Sequence, residues 1–209
     1  MTKIKICGIK TLTDALAAIQ AGADYLGFNF YPKSVRFVEK SACAEIASVL
    51  QGEHPQIKLV GVFVNASAEE IQATMEACGL SLAQLHGDES VEMLKRLNGK
   101  AFKAFRGIPE SVDEFARNQP PAFLLDASVK GVYGGSGVTT DWDKAAELAN
   151  KYPFFLAGGL TPENVAEAIC RVKPWGVDVA SGVESAPGKK DAEKMASFVR
   201  EVKSVEIGK

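Results

Sequence analysis

The sequence predicts a single (β/α)8 barrel of the TIM type, eight parallel strands over residues 1–209, and three observations carry that prediction. A short β-branched or apolar run, a polar or glycine-rich turn and a helix-period segment recur eight times, about once per 26 of the 209 residues. Strands that alternate with helices must run parallel, because each helix carries the chain back across the sheet. The pattern is also even from end to end, and no Gly-x-Gly-x-x-Gly follows the first strand, which favours a closed barrel over an open doubly wound sheet. A barrel this short needs tight loops and leaves no room for a second domain.

The strands are expected at Lys3–Cys7, Tyr25–Asn29, Lys58–Val64, Ser81–Leu85, Ala101–Phe105, Ala122–Asp126, Phe154–Ala157 and Gly176–Ala180. Helices between them carry their own punctuation. Thr11 is placed to cap a helix whose buried face is Leu12, Ala15, Leu16 and Ile19, with Gly22 as its stop. Ser67 and Glu70 have capping-box spacing ahead of the stripe Ile71, Met75 and Cys78, which Gly79 ends. Thr161-Pro162 reads as a cap followed by a first-turn proline, and Met195, Phe198, Val199 and Val202 give the last helix its apolar face.

Composition excludes several function classes. With 46% hydrophobic and 24% charged residues, and 24 basic against 26 acidic, the chain has the balance of a soluble globular protein. A net charge of −2 offers no field for a nucleic-acid or membrane partner. No apolar run approaches the ~20 residues that span a bilayer, and the N-terminus lacks a secretion signal's apolar core, so the cytoplasm is expected. Four dispersed cysteines and two histidines form no metal-ligand spacing, so free thiols and no metal are expected.

In such a barrel the active site lies at the C-terminal ends of the strands. Polar residues that finish an apolar strand there are Cys7, Asn29, Gln84 with His86, Arg106, Asp126, Gly158-Gly159 and Ser181-Gly182. Cys7 shares strand parity with Lys3 and Lys5, so inward lysines imply an inward thiol. Gly8 after it allows close approach; the alternative is a small core cysteine. Asp126 emerges from Ala122-Phe123-Leu124-Leu125, a low-dielectric wall that favours its neutral, proton-donating form; the alternative is a loop-start cap.

Gly158-Gly159 after strand seven and Ser181-Gly182 after strand eight occupy the places where phosphate-binding barrels present backbone N–H groups. Arg36, in the second βα loop, is either a paired-bond grip for a planar carboxylate or a solvated surface arginine. Gly134-Gly135-Ser136-Gly137 reads as a flap over the site or a plain flexible loop.

Taken in order, Lys5-Ile6-Cys7-Gly8-Ile9, Gly27-Phe28-Asn29-Phe30 with Ser34-Val35-Arg36, Val62-Phe63-Val64-Asn65 and Gln84-Leu85-His86-Gly87 form the first half of a recognisable set. Leu125-Asp126, Gly134–Gly137 with Asp141-Trp142, Leu156-Ala157-Gly158-Gly159-Leu160 and Asp178-Val179-Ala180-Ser181-Gly182-Val183-Glu184 complete it. The whole chain thereby resembles the phosphoribosylanthranilate isomerase family, departing at Thr140, where an aromatic is expected.

The resemblance implies a cofactor-free, metal-free enzyme of tryptophan biosynthesis that carries out an Amadori rearrangement of a small phosphosugar. It implies Asp126 as general acid and Cys7 as general base, the thiol needing a lowered pKa. It implies Arg36 on the anthranilate carboxylate, and Gly158, Gly159, Ser181, Gly182 and Gly135 around the phosphate. His86 and Asp178 are assigned as substrate contacts, Asp178 also as a partner for Lys5 inside the barrel. The rival readings are another phosphosugar isomerase on the same barrel and a non-catalytic phosphate-binding barrel; oligomeric state is not legible.

Overall fold

The computed structural model describes residues 1–126 and 140–207. Its elements are β1 (Lys3–Cys7), α1 (Leu12–Ala21), β2 (Tyr25–Asn29), α2 (Lys40–Glu53), β3 (Lys58–Phe63), α3 (Ala68–Ala77), β4 (Leu82–Leu85), α4 (Val91–Arg96) and β5 (Ala101–Arg106). They continue through β6 (Leu124–Asp126), α5 (Thr140–Ala149), β7 (Phe155–Ala157), α6 (Val165–Val172), β8 (Gly176–Val179), β9 (Glu184–Ala186), β10 (Lys189–Lys190) and α7 (Ala192–Ile207). Strands β1 to β8 pair in sequence order, all parallel, and β1 closes on β8 with Lys5 opposite Asp178. The eight-stranded barrel is therefore as expected, with strand ends moved by one or two residues.

The alternation of side chains divides the apolar residues between two cores. Ile4, Ile6, Leu26, Phe28, Phe123 and Leu125 face outward against the helices. Val60, Phe102, Ala104, Leu124, Phe155 and Ala157 fill the barrel itself, joined at its base by Tyr25, Leu82 and Trp175. Tyr25, Phe155 and Trp175 meet edge to face, with centroids 5.0 to 5.9 Å apart, so an aromatic plug closes the N-terminal end.

Local punctuation works as the residues dictate. The Thr11 hydroxyl accepts from the Asp14 N–H at 3.1 Å, and Gly22 turns left-handed (φ 113°) to close α1. Ser67 and Glu70 form the reciprocal capping box at 3.2 and 2.9 Å. The expected start of the seventh helix is corrected: α6 begins at Val165, and Thr161-Pro162 lie in a lead-in turn. The Thr161 carbonyl nevertheless accepts from the Asn164 and Val165 N–H groups at 3.3 and 3.1 Å, and the Asn164 side chain accepts from the Thr161 N–H at 2.8 Å, so Thr161 still tethers the entry to the helix.

Between β5 and β6 the expected helix shrinks to one turn, with the N–H groups of Phe115 and Ala116 both reaching the Val112 carbonyl. Pro109 and Pro120-Pro121 bound that segment and limit how far a helix could run at its C-terminal end. The antiparallel hairpin β9–β10 is an addition the periodicity did not announce. Among the described residues no helix is long and apolar enough to cross a membrane.

Candidate active site

The site is built upward from β1. Ile4 and Ile6 point to the outer core, so Lys5 and Cys7 point inward. Lys5 is fully buried and donates to Asp178 Oδ1 at 2.7 Å and to Gln84 Oε1 at 2.8 Å. A lone buried ammonium would give up its proton. Burial does oppose the charge on Lys5, but Asp178 and Cys7 together outweigh it and hold the pKa above the ordinary lysine value. The expected Lys5–Asp178 pair is therefore present, and it forms a charged floor above the apolar plug.

Over this floor a cavity of about 320 Å³ opens at the C-terminal ends of the strands. Cys7, Arg36, His86, Asp126 and Asp178 line it together, although they come from five different strands or the loops that follow them. Gly158, Gly159 and Ser181 form an adjoining wall. Gly182 lies behind that wall, where an added Cβ would sit 1.9 Å from the Leu160 carbonyl oxygen, so only glycine lets the loops after β7 and β8 meet. Gly135, with the rest of Gly134–Gly137, lies outside the described residues.

Cys7 is 8% exposed. Burial pushes its thiol up, Lys5 and Lys190 pull it down, Asp178 adds to the rise, and the net direction is upward. This corrects the expectation of a lowered thiol pKa for the site without a ligand, because desolvation outweighs the two cations.

Arg36 is half-buried and held in place. Its Nε donates to Glu184 Oε1 at 2.7 Å and its Nη2 to Glu184 Oε2 at 2.8 Å, and its stem crosses Gly8 (φ 83°), where a Cβ would lie 2.6 Å from Arg36 Cδ. Glu184 also accepts from Lys190 Nζ at 3.0 Å and from the Gly188 N–H at 3.2 Å. Burial disfavours the Glu184 carboxylate, but Arg36, Lys190 and Gly188 hold its pKa below the usual range. The β9–β10 hairpin is thus an anchor for the loop that carries Arg36. Glu184 belongs to a motif visible in the sequence, whereas Lys189-Lys190 looks like any solvated pair until the hairpin folds.

His86 sits with Nδ1 3.0 Å from Gln84 Nε2, and burial, then Arg106, lower its pKa. The backbone after it is held from outside the barrel. Glu89 accepts from the N–H groups of Asn65 and Gly87, and Lys103 Nζ bridges Glu89 Oε2 at 2.9 Å and the Gly87 carbonyl at 2.6 Å. Among the described residues no group of three or more His, Cys, Asp or Glu side chains is placed to hold a metal ion.

Residues 4–201 match the family model for N-(5'-phosphoribosyl)anthranilate (PRA) isomerase. The chain belongs to the PRA isomerase family. It is 48% identical over 206 residues to the N-(5'-phosphoribosyl)anthranilate isomerase of Geotalea uraniireducens, covering 98% of this chain and 100% of that one. The solved PRA isomerase of Thermotoga maritima superposes with a TM-score of 0.82 at 36% identity, covering 98% and 100% of the two chains. A PRA isomerase in complex with reduced 1-(o-carboxyphenylamino)-1-deoxyribulose 5-phosphate superposes with a TM-score of 0.83 at 35% identity, with the same coverage. The chain is thus an isomerase, and its cavity lies where a PRA isomerase barrel is expected to do its chemistry.

Proposed function

We propose that this isomerase converts N-(5'-phosphoribosyl)anthranilate into 1-(2-carboxyphenylamino)-1-deoxyribulose 5-phosphate in tryptophan biosynthesis, acting as one catalytic domain on a small phosphosugar. The observation that carries the reading is that Cys7 at the end of β1 and Asp126 at the end of β6, three strands apart around the barrel, line one cavity of metabolite size.

In this reading Asp126 donates a proton to the furanose ring oxygen as the C1–O bond breaks, leaving an iminium between C1 and the anthranilate nitrogen. That cation acidifies the neighbouring C2–H. Cys7 removes the C2 proton as thiolate, giving an enolamine whose tautomerisation yields the ketone. Burial raises the thiol pKa in the free site, and the iminium supplies the positive charge that favours thiolate when it is needed. The electron sink is the substrate's own iminium, so this route draws on no cofactor.

Arg36, side-on to Glu184, has Nη1 without a partner among the described residues and is the grip for the anthranilate carboxylate. Backbone donors at Gly158, Gly159, Ser181 and Gly182, with Gly135, hold the phosphate. His86 and Asp178 face the sugar from the floor of the cavity.

The test is the purified full chain assayed on phosphoribosylanthranilate with chelator present. Cys7→Ser and Asp126→Asn should each lower kcat by ~10²–10⁴ with the fold retained, while Arg36→Met raises KM. Full turnover in either of the first two would remove the assigned pair.

A further inference from the structure

The polar layer beneath the cavity is a directed chain of hydrogen bonds from β8 through β1 to β4. Asp178 Oδ1 accepts from Lys5 Nζ at 2.7 Å, and Gln84 Oε1 accepts from the same ammonium at 2.8 Å. Gln84 Nε2 then lies 3.0 Å from His86 Nδ1. From these three contacts we infer that Gln84 is a positioning residue that sets the tautomer of His86, keeping the imidazole neutral with its one ring proton on Nε2.

An ammonium has three donors and no acceptor, so the Gln84 atom that meets Lys5 must be the carbonyl oxygen. The amide is planar, which directs its NH2 group the other way, to His86. That group only donates, so Nδ1 must accept, and a ring nitrogen that accepts carries no proton. Imidazolium and the Nδ1–H tautomer are both incompatible with this contact. The remaining proton sits on Nε2, which has no partner among the described residues, on a ring that lines the cavity.

The charged groups around His86 are Arg106, Asp126, Lys5 and Asp178, with Arg106 Nη2 donating to the His86 carbonyl at 3.3 Å. Lys5 cannot turn away, because it is fully buried and tied to Asp178. No buried side-chain nitrogen or oxygen among the described residues lacks a partner, so the chain is fully satisfied up to the cavity. Its product is a fixed neutral N–H donor beside the proposed acid and base, one that can bond a substrate oxygen without supplying a competing proton. That last consequence rests on the isomerase reading; the tautomer does not.

The experiment is a long-range proton–nitrogen correlation on the full chain labelled with 15N-histidine, near neutral pH and without substrate. His54 is the other histidine, and its signals are removed by His54→Gln. His86 should show an unprotonated Nδ1 and a protonated Nε2. In Gln84→Glu a carboxylate replaces the amide donor, so Nδ1 should gain a proton and kcat should fall about tenfold, with a smaller change in KM. In Gln84→Met the ring should populate both tautomers. A protonated Nδ1 in the unaltered chain, or ring signals unchanged by Gln84→Glu, would overturn the assignment. The reading on the unaltered chain stands even where a variant fails to fold, and absent turnover with the expected tautomer would count against the isomerase reading alone.

Discussion

Arg36 and Glu184, 148 residues apart, form a two-pronged pair, Nε to Oε1 at 2.7 Å and Nη2 to Oε2 at 2.8 Å. The pairing occupies one edge of the guanidinium and aligns the other. The Glu184 side chain is 4% exposed and also neutralises Lys190, whose side chain is 1% exposed. Glu184→Gln should therefore have two effects. KM for the phosphoribosylanthranilate substrate should rise about tenfold as Arg36 loses its alignment, and stability should fall by about 3–5 kcal/mol because Lys190 is left buried beside an uncharged partner. Steady-state kinetics and urea titration read the two separately, and an unchanged KM would show that Arg36 does not depend on Glu184 for its aim.

Lys190 lies close enough to Cys7 to favour its thiolate against the desolvation that opposes it. Lys190→Met should raise the thiol pKa further and slow alkylation of Cys7 by iodoacetamide at any fixed pH below that pKa. The measurement belongs in a Cys170→Ser background, because Cys170 is exposed and would react first. Equal alkylation rates with and without Lys190 would remove it from the thiol's electrostatics.

His86 has a pKa below the ordinary histidine value, chiefly because burial disfavours the imidazolium. A group with a depressed folded pKa contributes stability that is present above its unfolded pKa and lost as pH falls through the folded one. Acidification below about 6.5 should thus lower the urea midpoint, and His86→Asn should flatten that part of the curve. Parallel curves for the two proteins below that pH would contradict the linkage.

Gly182→Ala would place a Cβ 1.9 Å from the Leu160 carbonyl oxygen, a backbone atom that cannot swing aside. The loops after β7 and β8 should be forced apart, at about 1–3 kcal/mol. Binding of inorganic phosphate, followed by calorimetry, should weaken in step with the loss of thermal stability.

What was legible in the sequence divides by distance along the chain. Thr11 with Asp14, the reciprocal Ser67–Glu70 box and the inward parity of Lys5 and Cys7 are relations within a few residues, and each folds as its local chemistry requires. The sequence reading failed where a local signal was overridden. Thr161-Pro162 looks like a helix start, but the residues up to Asn164 form a turn and the regular helix begins at Val165, although the Thr161 carbonyl accepts from the Val165 N–H. The segment between β5 and β6 fits the eightfold beat, but between Pro109 and Pro120-Pro121 it forms only one turn, at the Val112 carbonyl. For Arg36 the residues alone favoured a solvated surface arginine, and the pairing with Glu184 that holds it in place joins residues 148 apart.

Taken alone, the sequence determined the strand-and-helix alternation, the parallel barrel it implies, and the strand-end residues eligible for chemistry. Those follow from side-chain period and turn chemistry, which act over one or two turns of chain. Tertiary structure decided which of the eligible residues meet and in what charge state. Lys5 finds Gln84 across 79 residues and Asp178 across 173, because closure of β1 onto β8 brings the sheet's two edges together. The raised Cys7 thiol and the lowered His86 imidazole arise the same way, since desolvation and Coulomb interaction depend on neighbours in space rather than in sequence.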